Sequence, residues 1–283
     1  MTASAAPPLP PGQRVELAGR GTTFVREVEG PPGAPTVVLL HGWTVTADLN
    51  WYPSYQELGR HFSVLALDHR GHGQGVRSSW LFRLEDCADD AVALLRALGR
   101  ERGVLVGYSM GGPVAQLAWR RHPDAVQGLV LCATAATFSS RQPAERLYYA
   151  SLLGLSAVAR VTPGPVRQPL ATAFIRRRLD GTRFSEWATT QLASGDTAAV
   201  LQAGSAIGSF DSRPWLGTVD VPTAVVVTTG DQVVSPWRQE ALAGAIPGAT
   251  VHRVAGGHGV CVDDPDRFLP ALVEACLTVA RPA

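Results

Sequence analysis

The sequence predicts an α/β fold: a mostly parallel, eight-stranded sheet with helices on both faces, and a helical lid inserted after the sixth strand. Three observations carry this. Apolar runs of strand length at 35–40, 63–67, 104–106, 126–132 and 223–228 have no polar face, as strands buried on both sides of a parallel sheet require. Segments of helical period follow several of these runs, giving strand–helix repeats whose connections suit a parallel sheet. The alternation stops between residues 134 and 217 and then resumes.

In chain order, residues 1–13 are small and proline-rich, with neither a positively charged start nor an apolar core, and read as a flexible tail and not a signal peptide. Residues 15–28 alternate around Gly19 and Gly21, predicting an antiparallel hairpin. The run 35–40 delivers His41-Gly42-Trp43-Thr44 to one edge of the sheet, and residues 51–60 predict a short helix. The strand 63–67 leads into Asp68-His-Arg-Gly-His-Gly-Gln-Gly75. Two histidines, an aspartate and an arginine in eight residues look like chemistry, but a glycine-laced loop needs such side chains to hold its own turns, and that reading is preferred. Metal ligation by His69 and His72 has no second cluster to support it.

Leu84, Cys87, Ala91, Leu94, Leu95 and Leu98 mark one face of a helix that Gly99 ends. The run at 104–106 then stops at Gly107-Tyr108-Ser109-Met110-Gly111, with a helix to follow until His122-Pro123. In the insertion, helices are expected from Pro143 to Val158, from 170 to 179, and after N-caps at Ser185 and Thr197. Its aromatic residues, Tyr149, Phe184, Trp187 and Phe210 among them, suggest an underside facing a pocket, although packing of the helices on one another would produce the same enrichment. Arg176-Arg177-Arg178 reads as a solvated helix face, with an anionic substrate or membrane surface as the sharper alternative. After 223–228 come Thr229-Gly-Asp231, a helix from Pro236 to Ala245, a strand at 250–254, Gly257-His258, and a closing helix begun by Asp263, Asp264 and Pro265.

A chain of 283 residues that is 46% hydrophobic can bury a large core. Its net charge of +1 implies no basic face for nucleic acid. No stretch is long and apolar enough to cross a bilayer. Neither phosphate-cradling glycine motif occurs, and the chain contains no lysine. The four cysteines lack C-x-x-C spacing and read as buried thiols in a reducing compartment. Cys261, although close to a histidine, has no glycine-flanked turn to present it as a nucleophile.

The five-residue motif around Ser109 is weak evidence alone in a chain with 29 glycines. Its context is stronger. Gly107 and Gly111 remove side chains that would collide in a tight strand-to-helix turn, so the serine hydroxyl stands clear of the sheet. Ser109, Asp231 and His258 each lie just past the C-terminal end of an expected parallel strand, and those ends line one crevice. A serine hydroxyl needs a base with a pKa near 7, and an imidazole needs a carboxylate to fix its tautomer.

On these motifs, together with His41-Gly42-Trp43 and the loop 68–73, the chain resembles the α/β-hydrolase superfamily, specifically its lid-bearing serine hydrolases, over residues 14–280. The resemblance implies a core of residues 14–133 and 218–283 with a cap at 134–217. It implies an oxyanion hole made by the backbone NH groups of Trp43 and Met110, with His41 bracing its loop. Trp43, Tyr108, Val233 and Val260 are the expected substrate contacts. Members with an aspartate nucleophile are disfavoured by serine at position 109. The expected protein is a cytoplasmic monomer or homodimer that needs no cofactor or metal and cleaves a fairly apolar small-molecule carboxylic ester. The alternatives are the same triad acting on a lactone, amide or carbon–carbon bond or in perhydrolysis, and a slow-turnover ligand sensor. The sequence does not separate them.

Overall fold

A computed structural model describes residues 6–139, 142–166, 168–169, 172–173 and 184–280. One sheet of eight strands runs through it in the order β1-β2-β4-β3-β5-β6-β7-β8. These strands are β1 (Gly12–Leu17), β2 (Gly21–Val28), β3 (Thr36–Leu40), β4 (Ser63–Leu67), β5 (Gly103–Tyr108), β6 (Val126–Cys132), β7 (Thr223–Thr228) and β8 (Thr250–Val254). The hairpin β1–β2 joins β4 antiparallel, and every pairing from β4 to β8 is parallel.

The period-2 alternation of the strands divides the core between the two faces. Val38, Leu40 and Leu105 point to one side, against α3 (Leu84–Ala97), α4 (Gly111–Arg121) and the helix at Pro236–Ala245. Val37, Leu39, Val104 and Val106 point to the other, against α1 (Ala47–Trp51), α2 (Tyr55–Leu58) and the closing helix. The register aligns the C-terminal ends of the central strands: Leu40 pairs with Gly107, Tyr108 with Cys132, Cys132 with Val226, and Thr228 with Val254.

Between β6 and β7 lie α5 (Pro143–Val161), α6 (Ser185–Ala193) and α7 (Thr197–Ser209), with α5 packed along α7. After β7 come α8 (Pro236–Ala245), α9 (Val260–Asp263) and α10 (Pro265–Ala280). No helix among the described residues is long and apolar enough to cross a membrane.

Several expectations are corrected. β1 starts at Gly12, inside the expected tail, and the residues just before it lie against the core: Pro7 is buried, Leu9 packs on the apolar cluster, and the Arg26 guanidinium donates to the Pro10 carbonyl at 2.8 Å. The helix expected over 51–60 is shorter, α2 at Tyr55–Leu58, while a separate α1 starts earlier at Ala47 and ends at Trp51, ahead of Pro53, which has no NH to continue it. α7 is capped by Asp196, whose carboxylate accepts from the NH groups of Ala198 and Ala199, and not by Thr197. α6 is preceded by Phe184 in the left-handed region, with Ser185 already helical. The helix expected over 170–179 and the arginine run at 176–178 lie outside the described residues but for positions 172 and 173.

Candidate functional site

Ser109 sits on the turn between β5 and α4 with φ +52°, a conformation that a non-glycine residue adopts only when its surroundings hold it there. The turn is tight enough that a Cβ at Gly107 would run into the Gly111 carbonyl, and one at Gly111 into the Leu40 carbonyl. Both glycines are therefore sterically required. The Thr134 hydroxyl donates to the Ser109 carbonyl at 2.7 Å, fastening the turn from the end of β6.

His258, in the loop after β8, reaches Ser109 through the sheet's alignment. Its Nε2 is 3.0 Å from Ser109 Oγ and its Nδ1 is 2.7 Å from Asp231 Oδ2. An ionised carboxylate only accepts, so Nδ1 carries the proton and Nε2 is free to accept from the serine hydroxyl. The Asp231 side chain is fully buried. Burial by itself raises its pKa, but the hydrogen bond and charge of His258, the Val234 NH and the Thr228 hydroxyl outweigh that and hold it below the usual carboxylate range. Asp231 Oδ1 accepts from the NH groups of Val233 and Val234 at 2.8 and 2.9 Å.

Gln239 completes the cradle from α8. It is fully buried, donates through Nε2 to the Val234 carbonyl at 2.7 Å, and reaches the Thr228 hydroxyl and Asp231 Oδ2 at 2.9 and 3.2 Å. Its Oε1 accepts from the Thr228 NH at 3.0 Å. Sequence reasoning missed Thr228 and Gln239. Thr228 stands three positions before the aspartate and offers a weak local cue, whereas Gln239 is marked only by tertiary packing.

The His41-Gly42-Trp43 loop closes the other side. A Cβ at Gly42 would stand 3.4 Å from Ser109 Cβ. His41 is locked at both ring nitrogens, with Nδ1 2.7 Å from the Gly42 carbonyl and Nε2 accepting from the His69 NH at 2.9 Å. Asn50, also missed from sequence, accepts from the Gly42 NH at 2.8 Å and points Nδ2 at Cys261 Sγ, 3.7 Å away, linking this loop to the segment after His258. Cys261 is buried, and burial pushes its thiol up to about 12, so it is no nucleophile.

The loop 68–75 is a structural knot. Asp68 accepts from the NH groups of Ala47 and Gln74, both at 2.8 Å, and Arg70 makes a two-point contact with Asp90. His69 and His72 are buried against His41, with ring centroids 4.3 and 5.3 Å from it. No cluster among the described residues has the donors to hold a metal.

Four residues were expected to touch substrate, and their surroundings differ. Tyr108 is buried, donates to the His258 carbonyl at 2.6 Å and packs edge-on to Trp51 and Phe268, so its ring braces the histidine loop from within the core. Val260 belongs to the same apolar cluster. Both side chains lie in the core, because the chain next to a site on this sheet also caps its hydrophobic layer. Val233 is 72% exposed, and the Trp43 indole NH is 2.6 Å from the Val200 carbonyl of α7. A cavity of about 460 Å³ between α3, α4 and α7, lined by Phe82, Leu117, Phe210 and Trp215, includes none of these site residues.

Comparison with known proteins agrees with this architecture. A family model described as alpha/beta hydrolase fold matches residues 35–265. RutD of Caulobacter vibrioides, named as a candidate carbamate hydrolase, is 30% identical over 251 residues, covering 86% of this chain and 91% of the relative. A thermophilic esterase from Thermogutta terrifontis superposes with a TM-score of 0.76 at 25% identity, covering 96% of this chain and 100% of the esterase. An enol-lactonase from Burkholderia xenovorans superposes at 0.74, again at 25% identity, covering 93% and 98%. With a family match over most of its length and relatives aligned nearly end to end, the chain belongs to the α/β-hydrolase family.

Proposed function

We propose that the protein is a serine hydrolase that cleaves a carboxylic ester of a fairly apolar substrate through an acyl-enzyme. The observation that carries this reading is the unbroken hydrogen-bonded series from Ser109 Oγ, on its strained turn, through both nitrogens of His258 to Asp231. Ser109 is the nucleophile and His258 the base that removes its proton as Oγ attacks the ester carbonyl. Asp231 stabilises the resulting imidazolium, whose proton then passes to the leaving alkoxide. A water activated by His258 hydrolyses the acyl-enzyme.

The negative charge of the tetrahedral intermediate falls to the backbone NH groups of Trp43 and Met110. Support for this comes from the loop of Gly42 lying against Ser109 and from Met110 being the residue after the nucleophile. The described helices between β6 and β7 supply the cap of this reading, and α7 meets the oxyanion loop through the hydrogen bond from the Trp43 indole NH to the Val200 carbonyl.

The test is direct. Wild-type protein should hydrolyse p-nitrophenyl acetate and butyrate with multiple turnovers and be labelled once by a fluorophosphonate, and Ser109→Ala should do neither. A wild-type protein that acylates once and stalls would instead be a slow-turnover ligand sensor. A second reading keeps the triad and changes the bond: RutD is named for carbamates and the Burkholderia protein is an enol-lactonase, so a carbamate and an enol-lactone belong in the same substrate panel.

A further inference from the structure

The helix α7 is tied to its surroundings at three places. Just ahead of it, the Asp196 NH donates to the Gly71 carbonyl at 2.7 Å. In its middle, Gln202 Oε1 accepts from the Phe82 NH at 2.9 Å. At its end, the Gly208 carbonyl accepts from the Ser139 hydroxyl at 2.8 Å. These contacts set where α7 lies relative to the loops around it.

Trp43 is joined to α7 in turn. Its indole NH donates to the Val200 carbonyl in the first turn of α7. One turn further on, Gly204 leaves room for the ring: a Cβ there would stand 2.5 Å from Trp43 Cζ2 and 2.6 Å from Leu152 Cδ1 of α5. The backbone on either side of Trp43 is equally constrained. Gly42 is held by Asn50 and lies against Ser109, and Thr44 is in the left-handed region with φ +64°. Residue 43 is thus pinned by its side chain to the cap and by its neighbours to the core, and the direction of its own amide follows from both.

We infer that the Trp43 indole is a positioning residue: by hydrogen-bonding Val200 and filling the notch at Gly204, it aims the residue-43 backbone NH at the oxyanion that the substrate carbonyl oxygen becomes when Ser109 attacks. This rests on the proposed acyl-enzyme mechanism, and it assigns the side chain to alignment and not to substrate contact. Amide donors act only when their aim is preset, and a small misplacement is costly to the rate while leaving ground-state binding intact.

The test uses the full chain with Trp43→Phe, which keeps a ring but loses the NH, and Gly204→Ala, which keeps the NH but displaces the ring. Each is measured for kcat and KM on p-nitrophenyl butyrate, for affinity towards an aryl trifluoromethyl ketone that forms a tetrahedral oxyanion, and for thermal stability. The expected result for Trp43→Phe is a fall in kcat of about tenfold, KM within about twofold of wild type, and a loss of ketone affinity matching the loss of kcat/KM. Gly204→Ala should show the same pattern, and Trp43→Phe decides the matter if Gly204→Ala does not fold. Unchanged kinetics in Trp43→Phe would overturn the inference. So would a raised KM at constant kcat, which would make the indole a substrate wall, or a loss of kcat without the matching loss of ketone affinity. Failure of the underlying mechanism is read separately, as wild-type turnover retained by Ser109→Ala.

Discussion

Lowering the pH from about 7 to about 4.5 should destabilise the protein chiefly through the histidines under the His41 loop. Burial depresses all three, and their mutual proximity adds to the effect on His41 and His69. His69 falls to about 3 and His72 to about 4, where the Arg77 charge adds to burial; the His41 shift is in the same direction. In the folded state the His69 and His72 rings stay mostly neutral at pH 4.5, whereas in the unfolded chain they are protonated below about 6.5. Unfolding therefore takes up protons, and stability falls with pH from the unfolded value downwards. Two pH units at about 1.4 kcal/mol each give about 3 kcal/mol for His69 and a little less for His72. Asp68 acts in the opposite sense. Its carboxyl is raised to about 6, mainly by burial, so the folded state gains a proton first and recovers about 2 kcal/mol over the same interval. The net for these three groups is a loss of roughly 3 kcal/mol, to which His41 adds.

The assay is urea unfolding of wild type and His69→Phe at both pH values. Neither ring nitrogen of His69 has a hydrogen-bond partner, so the variant should be at least as stable at neutral pH. It should also lose about 3 kcal/mol less on acidification. Equal acid losses in the two proteins, or a His69 ring that titrates near 6 by NMR, would refute the reasoning.

Ser109→Ala should lower kcat by about 10⁶, read as p-nitrophenyl ester hydrolysis, and abolish fluorophosphonate labelling. Asp231→Asn should cost about 10⁴ in kcat, because an amide in that place no longer selects the Nδ1–H tautomer of His258. Gln239→Leu removes the buried donor to the Val234 carbonyl and the acceptor for the Thr228 NH, and should cost about 1–3 kcal/mol in denaturant unfolding, with a drop in kcat and little change in KM. Gly107→Ala drives a methyl group into the Gly111 carbonyl and should destabilise by roughly 1–3 kcal/mol or more, seen as a lowered melting temperature even with Ser109 intact.

Much of this protein was legible as one-dimensional pattern, because buried parallel strands must be apolar on both faces and the turns between strand and helix need particular residues. The apolar runs, the glycine-fenced Ser109 and the strand ends carrying Asp231 and His258 therefore defined an α/β sheet and named the residues to look for. Tertiary structure alone decided what surrounds them. The Gln239 cradle, the bridge from Asn50 to Cys261 and the Trp43 contact with α7 join residues remote in sequence, and a side chain's hydrogen-bond partner across such a distance leaves no periodicity to read. For the same reason Tyr108 and Val260, adjacent to the site along the chain, turn into the core: alternation along a strand and the pitch of a helix decide which way a neighbour points, and only the packed layers say what it meets there.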